Sequence, residues 1–261
     1  MGSEGHADGT VGKALDVLEM VADQGGSVRF SELLAISRYP KATLYRLLQT
    51  LVNQGMLTQD ADSGAYALGV RLVRLAHNAW AHSSLAPLAR PHLDALAAEV
   101  GEAIHLAQID SGHILFVDKR KSTDMFETLA QAGRVAPAYC TGVGKAILAF
   151  LPDAARDKVM PQQSFHPYTP ATHTEPASLM AELEVIRAEG VAFDREEHER
   201  GIISIAAPIR SRSGRVIGAV SIATSTSRHT LEELNALKPR LLQCAEAVGA
   251  EAETWQFPET N

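Results

Sequence analysis

Cysteine is nearly absent from this 261-residue chain: there are two, Cys140 and Cys244, and no Cys-x-x-Cys pair. That excludes a disulfide framework and a cysteine-based structural zinc site, and it suits a reducing, cytoplasmic setting. Aromatic residues reach only 5%. No run approaches the roughly 18 apolar residues that a membrane span requires, so no membrane partner is expected. The opening MGSEGHADGT is polar and has no apolar centre, so it is not a secretory signal. Residues 1–10 read as a disordered tail, and there is no internal repeat. Positive charge is also scarce, with 24 Lys and Arg against 31 Asp and Glu and a net charge of −7. Such a balance argues against a protein that coats nucleic acid over its whole surface, and leaves room for one basic face.

What is present is a globular composition, 46% hydrophobic and 21% charged. Helix spacing runs from Val11 to Asp23 and stops at Gly25-Gly26. A short extended piece around Arg29 follows, then a two-turn helix that Ser31 is placed to cap. After a break at Ser37-Arg38-Tyr39, Pro40 opens a helix with its apolar stripe on Leu44, Leu47, Leu48, Leu51 and Val52. Met56–Gln59 and Ala65–Leu68 flank an Asp/Ser/Gly turn and read as a hairpin. Helix, strand, helix, tight turn, helix and hairpin is the order of a winged helix-turn-helix.

The third helix is free of acids. Between Gly25 and Thr58 there are four basic residues (Arg29, Arg38, Lys41, Arg46) and one acid, Glu32. Phosphates repel acids from a groove-facing helix, whereas Lys41, Thr43, Tyr45, Arg46 and Gln49 offer donors and hydroxyls to phosphates and base edges. Arg29, Arg38 and these five are the candidate DNA-binding residues. A solvated amphipathic helix in a bundle is the alternative on charge alone.

Residues 69–82 look helical and apolar on more than one side, as in a linker helix held between other elements. From Ser83-Ser84 a fresh helix begins. Beyond Gly101 the pattern changes to a hairpin (103–109 with 113–117), a helix from Thr141 to Leu151, a helix from Thr174 to Glu189, a short strand ending at Asp194, two β-rich runs (204–209 and 216–223), and a last helix from Thr230 to about Ala252. An antiparallel sheet with packed helices is expected, so the fold class is α+β. The Thr141-Gly142-Val143-Gly144 turn opens a helix, where free N–H groups and the helix dipole favour a carboxylate; a tight helix start with no ligand is the bland alternative. GVGKA is not a nucleotide loop, because Tyr139 and Ala146 stand where Gly and Ser or Thr are required.

The stretch from "GKALDVLEMVAD" through "FSELLAISRYPKATLYRLLQTLVNQGMLTQDADSGAYALG" resembles the N-terminal domain of the IclR family of bacterial transcriptional regulators. The likeness continues in "LARPHLDALAAEVGEAIHLA", "CTGVGKAILAFLP", "FDREEHERGIISIAAPI" and "GRVIGAVSIA". The resemblance implies a winged helix-turn-helix over 11–68, a linker helix over 69–84 and an effector domain with a GAF-like fold over 85–255. It also implies a homodimer or homotetramer on double-stranded promoter DNA, regulating a catabolic operon, with a small organic acid or aromatic compound as effector. Carried over residue by residue, the effector pocket takes Thr141, Gly142, Val143 and Gly144, with Cys140 beside them, then Asp194, Ser204 and Ser221. Ala223 stands where relatives that bind small oxoacids have a second serine, which puts glyoxylate-like and pyruvate-like ligands in doubt.

No cofactor and no metal are expected. A metal held by His105, Cys140, Asp194 or His198 has no supporting spacing. A thiol or acid–base enzyme using Cys140, His105 and Asp194 is the alternative function; the sequence shows no local catalytic signature for it.

Overall fold

The computed structural model describes residues 9–110, 112–122 and 128–252, and of residues 80–83 the backbone alone. The expected tail over residues 1–8, the turn residue Ser111 and all residues past Ala252 lie outside the described residues. Thr10, placed in the tail by the sequence reading, instead opens the first helix. The chain divides into two compact units between Ala81 and His82.

The first unit contains α1 (Thr10–Ala22), α2 (Phe30–Ile36), α3 (Lys41–Asn53), β1 (Leu57–Gln59), β2 (Tyr66–Leu68) and the start of α4 (Val70–Ser83). Val17, Leu18 and Val21 of α1, Leu33 of α2 and Leu44, Leu47, Leu48 and Leu51 of α3 close one core with Val28, Leu57 and Tyr66. The i, i+3, i+4, i+7 leucines of α3 turn its other face outward. Two further helix starts differ from the sequence reading. Arg29, not Ser31, holds the cap position of α2, because Glu32 Oε2 reaches back to the Arg29 N–H at 2.7 Å. Pro40 is the cap residue of α3 rather than its first helical residue. β1 and β2 pair antiparallel, Leu57 with Leu68, and Val28 adds a bridge to Tyr66. Asp60 accepts from Ser63 N at 2.7 Å and Ser63 Oγ at 2.6 Å, which ties the hairpin loop.

The second unit contains α5 (Ala86–Val100), β3 (Ala103–Asp110), β4 (His113–Arg120), β5 (Val135–Pro137), α6 (Gly142–Phe150), α7 (Asp153–Val159), a 3₁₀ turn (Met160–Gln162), α8 (Pro176–Glu189), β6 (Ala192–Arg195), β7 (Ile202–Arg210), β8 (Val216–Ser225), α9 (Leu231–Ala236) and α10 (Lys238–Glu251). The strands form one antiparallel sheet in the order β5-β4-β3-β8-β7-β6. Alternation divides its two faces by size. Ile203, Ile205, Ile209, Val220 and Ile222 take one side, the side of α5 and α10. Ser204, Ala206, Ala219, Ser221, Ala223, His105 and Ala107 take the other. Small side chains there let α6 lie close to the sheet, and α8 packs on α6.

The single last helix expected from Thr230 is two helices, α9 and α10, that meet at Leu237. Pro239 is the reason: inside one continuous helix its ring would strike the carbonyl four residues back, whereas in the first turn of a new helix it is accommodated. The sequence reading had no counterpart for β5 or α7. Thr174 does not cap α8; Glu175 holds that position and Pro176 the next.

Candidate functional site

On α3 the leucines are inside, and Lys41, Tyr45 and Arg46 are exposed, with Thr43 and Gln49 half-buried. Among the described residues neither Lys41 nor Arg46 makes an ion pair, so both charges face outward. Tyr45 stacks edge-on against Phe30 of α2 at 6.0 Å between ring centres, which fixes its ring. Gln49 turns toward the hairpin instead, 3.4 Å from Gln59 Oε1 and 3.5 Å from the Tyr66 hydroxyl. Arg29 is exposed at the start of α2.

Arg38 stands apart from the other cations. Its guanidinium pairs with Asp16 of α1 and lies over the Tyr39 ring at 5.3 Å. The Tyr39 hydroxyl donates to the same Asp16 oxygen, and these two donors, Tyr39 first, hold the Asp16 carboxyl below its usual range. The charge tally from Gly25 to Thr58 could not include Asp16. The hairpin tip carries Asp60 and Asp62, both exposed, and no cation between residues 60 and 65. The cationic face therefore belongs to α3 and the start of α2, not to the hairpin.

In the second unit a cavity of about 40 Å³ lies between the small-residue face of the sheet and the start of α6. Thr141, Gly142, Val143, Asp194, Ser204, Ser221 and Ala223 line it. Strand register brings them together in rows: Asp194 beside Ser204 and Ser204 beside Ala223, then Ala206 beside Ser221 and Ser221 beside His105. Thr141 caps α6. Its hydroxyl accepts from Gly144 N at 3.3 Å and donates to the Pro137 carbonyl at 2.9 Å. Gly142 and Val143 then offer the first N–H groups of the helix beside the cavity.

Cys140 and Gly144 are not part of that lining. Cys140 is fully buried, and burial, then Asp194 and Glu197, push its thiol far up. It is an inert core residue. Gly144 faces away: a Cβ there would stand 2.3 Å from the Ala138 carbonyl oxygen and 2.5 Å from Ala138 Cα. At Gly142 a Cβ would stand 2.6 Å from Ser204 Oγ, on the cavity side.

Asp194 is buried and accepts from Glu197 N at 2.8 Å. Burial, then the neighbouring Glu197 charge, raise its carboxyl to about 7. The far end of the cavity is a group that sequence reasoning did not assemble as a site. His105 is buried, and burial and Lys119 lower its imidazole to about 3, so it is neutral. Its Nε2 is 3.0 Å from Thr128 Oγ1, which accepts from Lys119 Nζ at 3.2 Å. Phe116, Ala130, His198, Glu199 and Ile202 complete the lining. The available signal was the alternation Ala103, His105, Ala107 on the small-residue face; Thr128 gave none.

Among the described residues no helix is long and apolar enough to cross a membrane. The description "IclR helix-turn-helix domain" matches residues 10–61, and "Bacterial transcriptional regulator IclR C-terminal" matches residues 77–250. The chain is 34% identical to the DNA-binding transcriptional repressor YiaJ of Escherichia coli (strain K12) over 243 residues, 92% of this chain and 86% of that one. It is 30% identical to the transcriptional repressor IclR of the same organism, covering 90% of this chain and 87% of that one. The Thermotoga maritima IclR structure superposes with a TM-score of 0.75 at 27% identity, covering 94% and 98% of the two chains. An IclR homologue from Microbacterium hydrocarbonoxydans, crystallised with 4-hydroxybenzoate, shares the fold with a TM-score of 0.80 at 24% identity over 94% of this chain and 100% of that one. With an α3 backed by leucine and free of acid, a second unit built on an antiparallel sheet, and both units matched, the chain belongs to the IclR family of bacterial transcriptional regulators and is a DNA-binding regulator rather than an enzyme.

Proposed function

We propose that the chain controls a catabolic operon from the cytoplasm as a homo-oligomer, and that a small organic acid bound in the cavity changes its operator affinity. The observation that carries the DNA half of this reading is the pair of exposed cations on α3, Lys41 and Arg46, without an ion pair among the described residues. Arg29, Thr43 and Tyr45 lie with them as phosphate and base contacts, Gln49 braces the hairpin, and Arg38 serves mainly to join the turn to α1. Oligomerisation is supported by the apolar side chains that α1 and α4 leave exposed, Val11, Leu15, Val70 and Val73.

For the effector, the α6 N–H groups suit a carboxylate, and Asp194, Ser204 and Ser221 suit a hydroxyl. Ala223 supplies no hydroxyl, which disfavours a bare oxoacid. About 40 Å³ holds three water-sized groups, fewer than the non-hydrogen atoms of even the smallest hydroxy acid, so the cavity must widen for such a ligand and widen further for a ring such as that of 4-hydroxybenzoate.

The test of the DNA reading is Arg46→Ala, assayed on an operator selected from random duplexes. A charged hydrogen bond contributes about 1.5–3 kcal/mol, so affinity should fall roughly 10- to 150-fold with the melting temperature unchanged. Unaltered affinity would remove α3 from the interface. A thermal-shift screen of hydroxy acids, oxoacids and 4-hydroxybenzoate tests the cavity, since a bound ligand raises the melting temperature by mass action.

A further inference from the structure

A second polar cluster lies outside the cavity. It joins the loop before α8 (His173), the second turn of α8 (Glu182), the turn after β6 (Glu197) and the first turns of α6 (Lys145). Lys145 is fully buried. Its Nζ binds Glu182 Oε1 at 2.9 Å and Oε2 at 3.0 Å and also Glu197 Oε1. Arg195 Nη1 donates to Glu182 Oε1 at 2.8 Å. These cations hold both oxygens of Glu182 and Oε1 of Glu197, and leave Glu197 Oε2 turned toward His173.

Two observations point beyond that ion-pair network. First, Glu197 is only 2% exposed, yet its Oε2 has no hydrogen-bond partner among the described residues; it stands 3.9 Å from His173 Nε2. A buried carboxylate oxygen left bare is costly. Second, the donors around the imidazole can be assigned. Ser178 Oγ donates its one hydrogen to the Glu175 carbonyl at 2.9 Å, so at 3.0 Å from His173 Nδ1 it acts as acceptor and Nδ1 carries the hydrogen. The opposite nitrogen, Nε2, faces Glu182 Oε2 at 2.5 Å. A hydrogen on Nε2 bridges such a pair, so an ion entering here must take the place of that hydrogen and part the two side chains. An imidazole whose Nδ1–H is held by an outer acceptor while Nε2 faces carboxylates is the arrangement of a metal-ligating histidine.

We propose that His173 Nε2, Glu182 Oε2 and Glu197 Oε2 form a binding site for a divalent transition-metal ion, with zinc the best match to one imidazole and two carboxylates. The three atoms lie within 4.8 Å of one another. Three protein ligands leave a fourth tetrahedral position for water. His173 and Glu182 side chains are 18% and 17% exposed, which provides entry from solvent. Because Lys145 and Arg195 already offset the two carboxylates, binding is moderate rather than tight. The ion would lock the turn after β6 to α8, and that turn also carries Asp194 of the cavity through the Glu197 N–H.

The test uses the full-length protein, stripped with a chelator and titrated with zinc chloride by calorimetry and with cobalt(II) by absorption spectroscopy. One ion per chain is expected, with intense tetrahedral cobalt bands. His173→Ala and Glu182→Gln should each weaken zinc binding at least tenfold, whereas Cys140→Ala should leave it unchanged. His173 is partly exposed, so its variant keeps the fold, and a melting curve verifies this. Absence of stoichiometric zinc binding overturns the site, as does undiminished binding by a folded His173→Ala protein, which would place the ion elsewhere.

Discussion

Gly142 and Gly144 sit two residues apart at the start of α6, and the structure assigns them opposite jobs. At Gly144 a methyl group would stand 2.3 Å from the Ala138 carbonyl oxygen, 2.5 Å from Ala138 Cα and 2.6 Å from Thr141 Oγ1. The first two are backbone atoms that cannot rotate away, and the third is the capping oxygen of the helix. For Gly144→Ala, overpacking costs about 1–3 kcal/mol and loss of the cap about 1 kcal/mol. The better helix propensity of alanine returns about 1 kcal/mol. The net is about 1–3 kcal/mol, and at about 2–4 °C per kcal/mol for a unit of 150–250 residues the melting temperature should fall by about 2–12 °C.

At Gly142 the nearest atom is Ser204 Oγ at 2.6 Å, the tip of a side chain that can turn, and the next is Ala206 Cβ at 3.4 Å. Gly142→Ala should therefore shift the melting temperature by no more than about 3 °C, because the propensity gain and the displaced serine roughly cancel. It should nevertheless abolish thermal stabilisation by whichever small acid stabilises the native protein. Calorimetric melting of both variants, with and without that acid, reads the two effects separately. A destabilised Gly142→Ala beside an unperturbed Gly144→Ala would refute the assignment of the two faces of the turn.

Other consequences follow for the DNA face and the cavity. The acidic hairpin tip lies on the same unit as the α3 cations and should oppose phosphate binding. Asp62→Lys is expected to raise operator affinity and to steepen the dependence of log K on log salt by up to about 0.9 per protomer; an unchanged slope would mean that the tip stays clear of the duplex. Asp194, whose carboxyl is raised to about 7 from 3.8, holds a proton in the native state where the unfolded chain has lost it. The stability it contributes is complete below about pH 4 and is lost as pH climbs to about 7. Asn has no such proton to lose, so in melting curves across that window Asp194→Asn should gain steadily on the native protein, and a constant difference would exclude the raised carboxyl. Leu48, fully buried in the first core, should cost about 2–5 kcal/mol when cut to alanine, measured by denaturant unfolding; a loss below 1 kcal/mol would deny that α3 is anchored by its leucines.

What the sequence made legible was periodicity and local chemistry. The α3 leucine stripe, the hairpin turn chemistry and the β-rich runs of β7 and β8 each lie within a dozen residues, so the pattern and its cause are in one place. β5 escaped because three residues ending in Pro137 carry no alternation. α9 and α10 were merged because Thr230 opens a helical pattern that continues to about Ala252, and Pro239 inside it was not weighed as a break. The meetings between side chains that escaped are long-range. Arg38 meets Asp16 across 22 positions, and His105 meets Thr128 across 23. Lys145 meets Glu197 across 52. No pattern along the chain encodes those meetings, because they depend on strand register and helix packing rather than on spacing.

The two polar regions also differ in how water treats their charges, and that separates their responses. Lys41 and Arg46 are exposed, so their attraction to phosphates is screened by salt. Asp194 and His105 are buried, where desolvation decides which form exists and salt has little access. DNA affinity in the absence of ligand should therefore follow ionic strength, while ligand recognition should follow pH and be nearly indifferent to salt. If the cavity communicates with α3, only the ligand-bound protein should show pH-dependent DNA affinity. An unliganded protein whose DNA affinity varied with pH as strongly as the liganded one would place the sensing group on the DNA face instead.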